Sequence, residues 1–403
     1  LEEAMRVLML SWEYPPHVVG GLGKHVAELT PALDAAGVEI HLVTPRWAGG
    51  PAQERVGRCM TVYRVDPPDV RSGDFFHDAR QTNFVLAAAA RAVVGALGGV
   101  DLIHAHDWLV SFAAIDLKHA GKWPLVATIH ATEWGRHHGS LSSDLQRAIH
   151  NAEWWLVFEA WRIITCTEFM CHEVETAFGA PADKIDVISN GIDPTPFDRL
   201  RALDLSDFRA QWALPEEPIV FTVGRVVWEK GVQVLVEAAP RVLTSRPDVK
   251  FVVAGAGGML DSVRWRAGEL GIDSRMTFTG FIADEDRDKL FVVADCAVFP
   301  SLYEPFGIVA LEAFAAQTPV VVSDVGGFSE IVRNHETGIH VSPNNPDSLA
   351  WGILHTLNHP DWSRARAANA YRAATTQFSW TTIAQQTLRT YEQVVAERAA
   401  TVW

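Results

Sequence analysis

Four cysteines in 403 residues (Cys59, Cys166, Cys171 and Cys296) are too few and too scattered for a disulfide framework. No second Cys/His pair at zinc spacing accompanies Cys166 and Cys171, so buried thiols in a reducing, cytoplasmic setting are expected. Positive charge is also scarce. Against 49 Asp and Glu stand 34 Lys and Arg, a formal charge of −15. That balance argues against a nucleic acid or an anionic membrane as the main partner, although a local basic pair can still hold a small anion. Long hydrophobic runs are missing: the longest, Phe84 to Val100, is broken by Arg91 and by glycines. Nothing like a secretory leader opens the chain, and Met5, after the acidic Leu1–Ala4, is the expected natural start. Neither fixed-period repeats nor low-complexity segments occur.

What is present is a rhythm. Short apolar runs at residues 6–10, 39–43, 102–104, 125–130, 162–166 and 184–188 alternate with helix-period segments such as 25–36 and 82–97. The pattern restarts with strands expected at 219–223, 250–254, 276–279, 296–300, 319–323 and 338–341. Helices are expected at 231–243, 260–270, 284–292, 307–316 and 329–332. Strand–helix alternation of this kind predicts an α/β chain with two doubly wound parallel-sheet domains. Their strand carboxyl ends are expected to face a shared cleft. The length also exceeds the usual single-domain size. The turn-rich Asn190-Gly191-Ile192-Asp193-Pro194 sets the boundary, giving domains 1–194 and 195–379 and a final helical segment 380–403.

The most informative segment runs from Phe299 to Glu312. A strand stops at Pro300, a polar loop follows, and Gly307 opens a run of helix formers. The amides of Phe306, Gly307 and Ile308 are thereby aimed beyond the strand end, where an anionic or polyhydroxylated ligand fits. Glu304 stands at the lip of the loop and Glu312 more than one turn inside the helix. Two glutamates near a helix start also arise as dipole-favoured surface acids. Arg225 closes the strand 219–223 and Lys230 precedes the next helix, so two cations fall at one spot suited to a diphosphate. Gly20, Gly21 and Gly23 follow the first strand and let the backbone approach a phosphate, but their spacing does not match a dinucleotide fingerprint.

Glu-Pro-Phe-Gly-Ile-Val-Ala-Leu-Glu (304–312) resembles the E-x7-E element of retaining glycosyltransferases with the GT-B fold, closest to glycosyltransferase family four and the bacterial glycogen and starch synthases. The resemblance implies that Glu304 lies beside the transferred sugar, that the amides of Phe306, Gly307 and Ile308 bind its hydroxyls, and that Glu312 binds the ribose. Gly224-Arg225 and Lys230-Gly231 match the family's phosphate motif, Gly20 and Gly21 its diphosphate loop, and Gly280-Phe281 its nucleobase position. The resemblance makes His130 a contact of the donor sugar and puts Asp107, Trp108 and Asn190 near the acceptor side. Glu133 and Arg136 lie in the loop expected to receive the acceptor. It also implies that the final helix crosses back to the first domain. One position departs. Glycogen synthases carry a lysine two residues before the glycine pair where this chain has Val18, which favours the broader family over a standard ADP-glucose glycogen synthase.

No required metal or cofactor is expected. His104 and His106 lie on one face of a strand with no further ligand evident, and Asp284-Glu285-Asp286 reads as an acidic first turn of a helix. The expected activity is retaining transfer of glucose from ADP- or UDP-glucose to a hydroxyl acceptor, an α-glucan first, with a sugar phosphate, small glycoside or lipid as alternatives. A sugar-nucleotide epimerase and a non-catalytic nucleotide-sugar binder are the rivals of other classes.

Overall fold

The computed structural model describes residues 4–69 and 72–403. The chain forms two compact units, one of the residues up to Gly191 with Trp380–Trp403, the other of Ile192–Ser379. The division thus falls earlier than the expected 194/195. Ile192 N–H donates to Phe378 O (2.8 Å), which ties it to the second unit.

The first unit holds β1 (Arg6–Leu10), β2 (Glu39–Pro45), β3 (Gln53–Val56), β4 (Met60–Val65), β5 (Leu102–His106), β6 (Leu125–Ile129), β7 (Arg162–Thr165) and β8 (Ile185–Val187). Their spatial order is β3-β4-β2-β1-β5-β6-β7-β8, with only β3 antiparallel. Strands β1, β2, β5, β6 and β7 are buried almost throughout, which is why they read as apolar runs. β3 and β4 escaped the sequence reading because β4 alternates buried and half-buried positions and β3 is a polar edge. The apolar stretch from Phe84 lies in the helix Phe75–Leu97, capped by Asp74 and ended by Gly98 at φ 75°. No described helix is long and apolar enough to cross a membrane.

The closing helix, Trp380–Ala399, packs on the helix Gly21–Ala35. Its Trp380, Ile383, Tyr391 and Val394 join Val7, Leu29 and Ile40 in one core. At roughly 1.5–3 kcal/mol for each fully buried large side chain, this helix is a substantial part of the first unit's stability.

The second unit contains β9 (Ile219–Val223), β10 (Lys250–Ala254), β11 (Met276–Gly280), β12 (Cys296–Phe299), β13 (Val320–Ser323) and β14 (Ile339–Val341). They are all parallel, in the order β11-β10-β9-β12-β13-β14. Strand order reverses between β9 and β12 here, and between β1 and β5 in the first unit. Beyond the carboxyl ends of such strand pairs an open parallel sheet binds its ligands. Arg225 follows β9 and Glu304 follows β12; Glu13 follows β1 and Asp107 follows β5.

Candidate active site

In the second unit the loops after β9 and β12 are locked together. Leu302 N–H donates to Glu229 O (2.8 Å), and a Cβ at Gly231, which sits at φ 70°, would overlap the carbonyl oxygen of Pro300. The locking places Lys230 Nζ 2.7 Å from Glu304 Oε2, and Ser301 Oγ donates to the same oxygen (3.0 Å). Arg225, half exposed, lies 3.3 Å from Glu229. Arg225, Lys230, Ser301 and Glu304 line a single cavity. Glu304 is only 6% exposed, so its charge is held by the ammonium and hydroxyl rather than by water. Replacing Gly231 by Ala is expected to cost about 2–4 kcal/mol, because side-chain overlap adds to a left-handed backbone. A thermal melt measures the loss.

The helix Ile308–Ala316 begins at Gly307 (φ 102°) with no side-chain cap, which leaves its N-terminal dipole end available to a ligand. Glu312 does not line the Arg225–Lys230 cavity. It is buried, with Arg287 3.6 Å from its carboxylate. Against desolvation, which would lower it, Glu312, Asp288 and Asp284 hold the Arg287 pKa above its usual value. Arg287 was not singled out from the sequence, since a basic residue in an acidic first turn looks like an ordinary surface pair. The helix Asp284–Val293 does begin in that acidic turn. At the end of β11, Gly280 adopts φ 69° and Phe281 is 84% exposed.

The first unit gathers histidines at its switch point. His104, on β5, is fully buried between Tyr391 OH (2.6 Å) and Thr128 Oγ1 (2.7 Å). His106 Nδ1 meets His130 Nε2 (3.2 Å), and His25 Nδ1 meets Asn190 Oδ1 (2.6 Å). Burial drives the pKa of His25 down to about 4 and that of His104 to about 3; His106 and His130 also fall well below the usual range. Asp107 accepts from His130 N–H (2.7 Å), and burial raises its pKa to about 7. The buried Glu133 touches Arg136 (3.4 Å) and His137 (3.1 Å), and its amide donates to Glu153 (3.0 Å).

Several expectations need correction. Trp108 is 5% exposed, stacked on Phe76 (5.6 Å) with Phe75 at its edge (5.9 Å), so it is core and offers no face to a sugar. Asn190 is buried against His25 and positions that ring instead of meeting an acceptor. The Gly20 amide is taken: Glu13 Oε2 accepts from both Val19 N–H (2.8 Å) and Gly20 N–H (3.1 Å). The loop thus does bind an anion, but its occupant is the chain's own carboxylate. His106 also has more company than its strand suggested. His25, His106 and His130 have ligand atoms within 4.8 Å of one another. Tetrahedral zinc ligands stand about 3.4 Å apart, so these rings would have to close in to hold a metal.

Two doubly wound parallel sheets, one with two cations and a buried carboxylate at its switch point, define an α/β protein built to bind a nucleotide-linked anion. Residues 205–374 match the family model for glycosyl transferases group 1, and residues 19–195 match that for glycosyltransferase family 4. An uncharacterized glycosyltransferase of Methanocaldococcus jannaschii is 38% identical over 392 residues (96% of this chain, 98% of the relative). The glycogen synthase of Mycobacterium tuberculosis is 37% identical over 404 residues (96% and 94%). Its alpha-maltose-1-phosphate synthase is 31% identical over 415 residues (97% and 100%). The solved sucrose-phosphate synthase of Thermosynechococcus elongatus superposes with a TM-score of 0.81 at 24% identity, covering 98% of this chain and 100% of that one. The fold is therefore GT-B. This chain belongs to glycosyltransferase family 4, and is a retaining enzyme that uses a nucleotide sugar.

Proposed function

We propose that the enzyme transfers glucose from ADP- or UDP-glucose to the end of an α-glucan. The observation that carries the donor half is the Lys230–Glu304 contact beside Arg225, in one cavity at the switch point of the second sheet. The acceptor half rests on the 37% identity to a glycogen synthase along nearly the whole chain.

In this reading Arg225 and Lys230 hold the diphosphate, Glu312 the ribose, and Gly280 with Phe281 the base. Glu304 and the amides of Phe306, Gly307 and Ile308 hold the sugar. Asp107, Glu133 and Arg136 are assigned to the acceptor. The bond from the anomeric carbon to the diphosphate oxygen breaks, and its electron pair leaves on the nucleoside diphosphate. The acceptor hydroxyl bonds on the same face, and its proton passes to a phosphate oxygen. Positive charge on the sugar and negative charge on the leaving group develop together. Glu304 opposes the first; Arg225 and Lys230 oppose the second.

Release of nucleoside diphosphate from ADP-, UDP- and GDP-glucose, measured with glycogen, with glucose 1-phosphate and without acceptor, tests this. Glycogen-dependent release from ADP- or UDP-glucose is expected. Release only with glucose 1-phosphate would replace the glucan by a sugar phosphate, a second reading favoured by the likeness to alpha-maltose-1-phosphate synthase. Conversion of the donor sugar without release would make the protein an epimerase.

A further inference from the structure

The second unit has another cavity, of about 390 Å3, which shares no lining residue with the one holding Arg225, Lys230 and Glu304. The helices Pro346–Asn358 and Pro360–Thr376 contribute His355, Trp362, Arg366 and Asn369 to it, and a tight turn contributes His335. Arg366 is 5% exposed and donates to Ser363 Oγ (2.8 Å). Among the described residues no carboxylate lies within ion-pair distance of its guanidinium. The Cys296 thiol, which acts on Arg366, is pushed far up by burial and supplies no negative charge. A buried cation left without a counter-charge is costly unless an anion from outside completes it. In a chain of net charge −15, such a residue is the more conspicuous.

Other observations point into the same cavity. His355 Nε2 is buried without a hydrogen-bond partner. His335 is held at φ 62°, a conformation strained for a histidine, and its N–H is tied to Gly338 O (2.8 Å). Trp362, 58% exposed, is pre-ordered by stacking on His359, with ring centroids 4.6 Å apart and planes within 6°. Trp351, which does not line the cavity, stacks on His355 (5.2 Å, 22°) and so fixes that ring. An ordered indole with a face in solvent offers an apolar, electron-rich surface to the C–H face of a sugar ring.

We propose that this cavity binds a phosphorylated sugar, the phosphate on Arg366 and His355 and the sugar ring on Trp362. The site is independent of the donor cavity and of the acceptor assigned above. Titration calorimetry of the full chain with glucose 6-phosphate and glucose 1-phosphate tests it, with inorganic phosphate and maltotetraose as the other arms. Saturable binding is expected for at least one sugar phosphate. Arg366→Gln should weaken it about ten- to a hundredfold, as for a lost charged hydrogen bond. Trp362→Ala, at an exposed position where folding is not at stake, should weaken it about five- to tenfold. The Arg225→Ala/Lys230→Ala variant should bind as wild type does. No saturation by about 10 mM would overturn the proposal. So would binding untouched by either substitution in this cavity, loss of binding in the donor-cavity variant, or maltotetraose or bare phosphate binding as tightly as the sugar phosphates.

Discussion

The Glu304→Gln enzyme is expected to turn over about a hundred- to a thousandfold more slowly than wild type, with little change in melting temperature. The amide keeps the shape and can still accept from Ser301 and Lys230, but it removes the negative charge that the proposed mechanism sets against the developing oxocarbenium ion. Loss of one preorganised electrostatic group of this kind costs about 3–4 kcal/mol in the transition state. Lys230 tolerates the change because its side chain keeps 27% exposure and can rehydrate. The effect should fall on kcat more than on the donor KM, since the charge on the sugar exists only in the transition state. Lys230→Ala should fall on both, because the diphosphate is charged in ground and transition states alike. The pair touches at 2.7 Å, so the double variant should be far less impaired than the product of the single effects predicts. Steady-state kinetics with the productive donor read all three. A Glu304→Gln turnover within tenfold of wild type would remove Glu304 from the centre of the chemistry.

Much of this was legible in the residues, for a physical reason. A parallel sheet covered on both faces makes each strand a solid apolar run, so β1, β2, β9, β10 and β12 announce themselves. Loop chemistry after those strands is equally local: Arg225, Lys230 and Glu304 each sit within a few residues of a strand end. The assembly of the histidines was not legible. His25, His106, His130 and Asn190 come from four separate segments, and only the fold brings their rings together. The capture of the Val19 and Gly20 amides by Glu13 depends likewise on the turn between them. Trp108 is open to either reading, stacking surface or core, because a tryptophan beside polar strand-end residues looks the same in sequence whether its face is open or covered by Phe76. The Arg366 cavity is not legible in the sequence because its residues lie on two successive helices and a turn and carry no spacing signature.

Acid is expected to unfold the first unit at a higher pH than ordinary carboxylate chemistry would. In the unfolded chain all four histidines titrate near 6.5. In the folded unit burial holds His25 at about 4, against the Asn190 hydrogen bond that raises it, His104 at about 3, and His106 and His130 well below the usual value, these last three further lowered by the neighbouring imidazoles. The unfolded state therefore binds protons that the folded state refuses. Stability is full above about pH 6.5 and is lost as pH falls toward 4. Two buried carboxyls work the other way. Burial raises Asp107 to about 7 and lifts Glu153 well above its usual value, so the folded state takes up protons there as pH falls. Arg136 opposes both of these shifts, while Glu13 adds to that of Asp107 and Glu133 to that of Glu153. Four histidines against two carboxyls leave a net loss of stability as pH falls from 7.5 to 5, and the melting temperature should fall with it. His25→Gln should flatten the profile, because it removes one titrating ring while keeping a partner for Asn190. Melts at pH 7.5, 6 and 5 decide the matter: a melting temperature that holds level across that range would mean the rings are hydrated and titrate normally, and the buried cluster would not exist in solution.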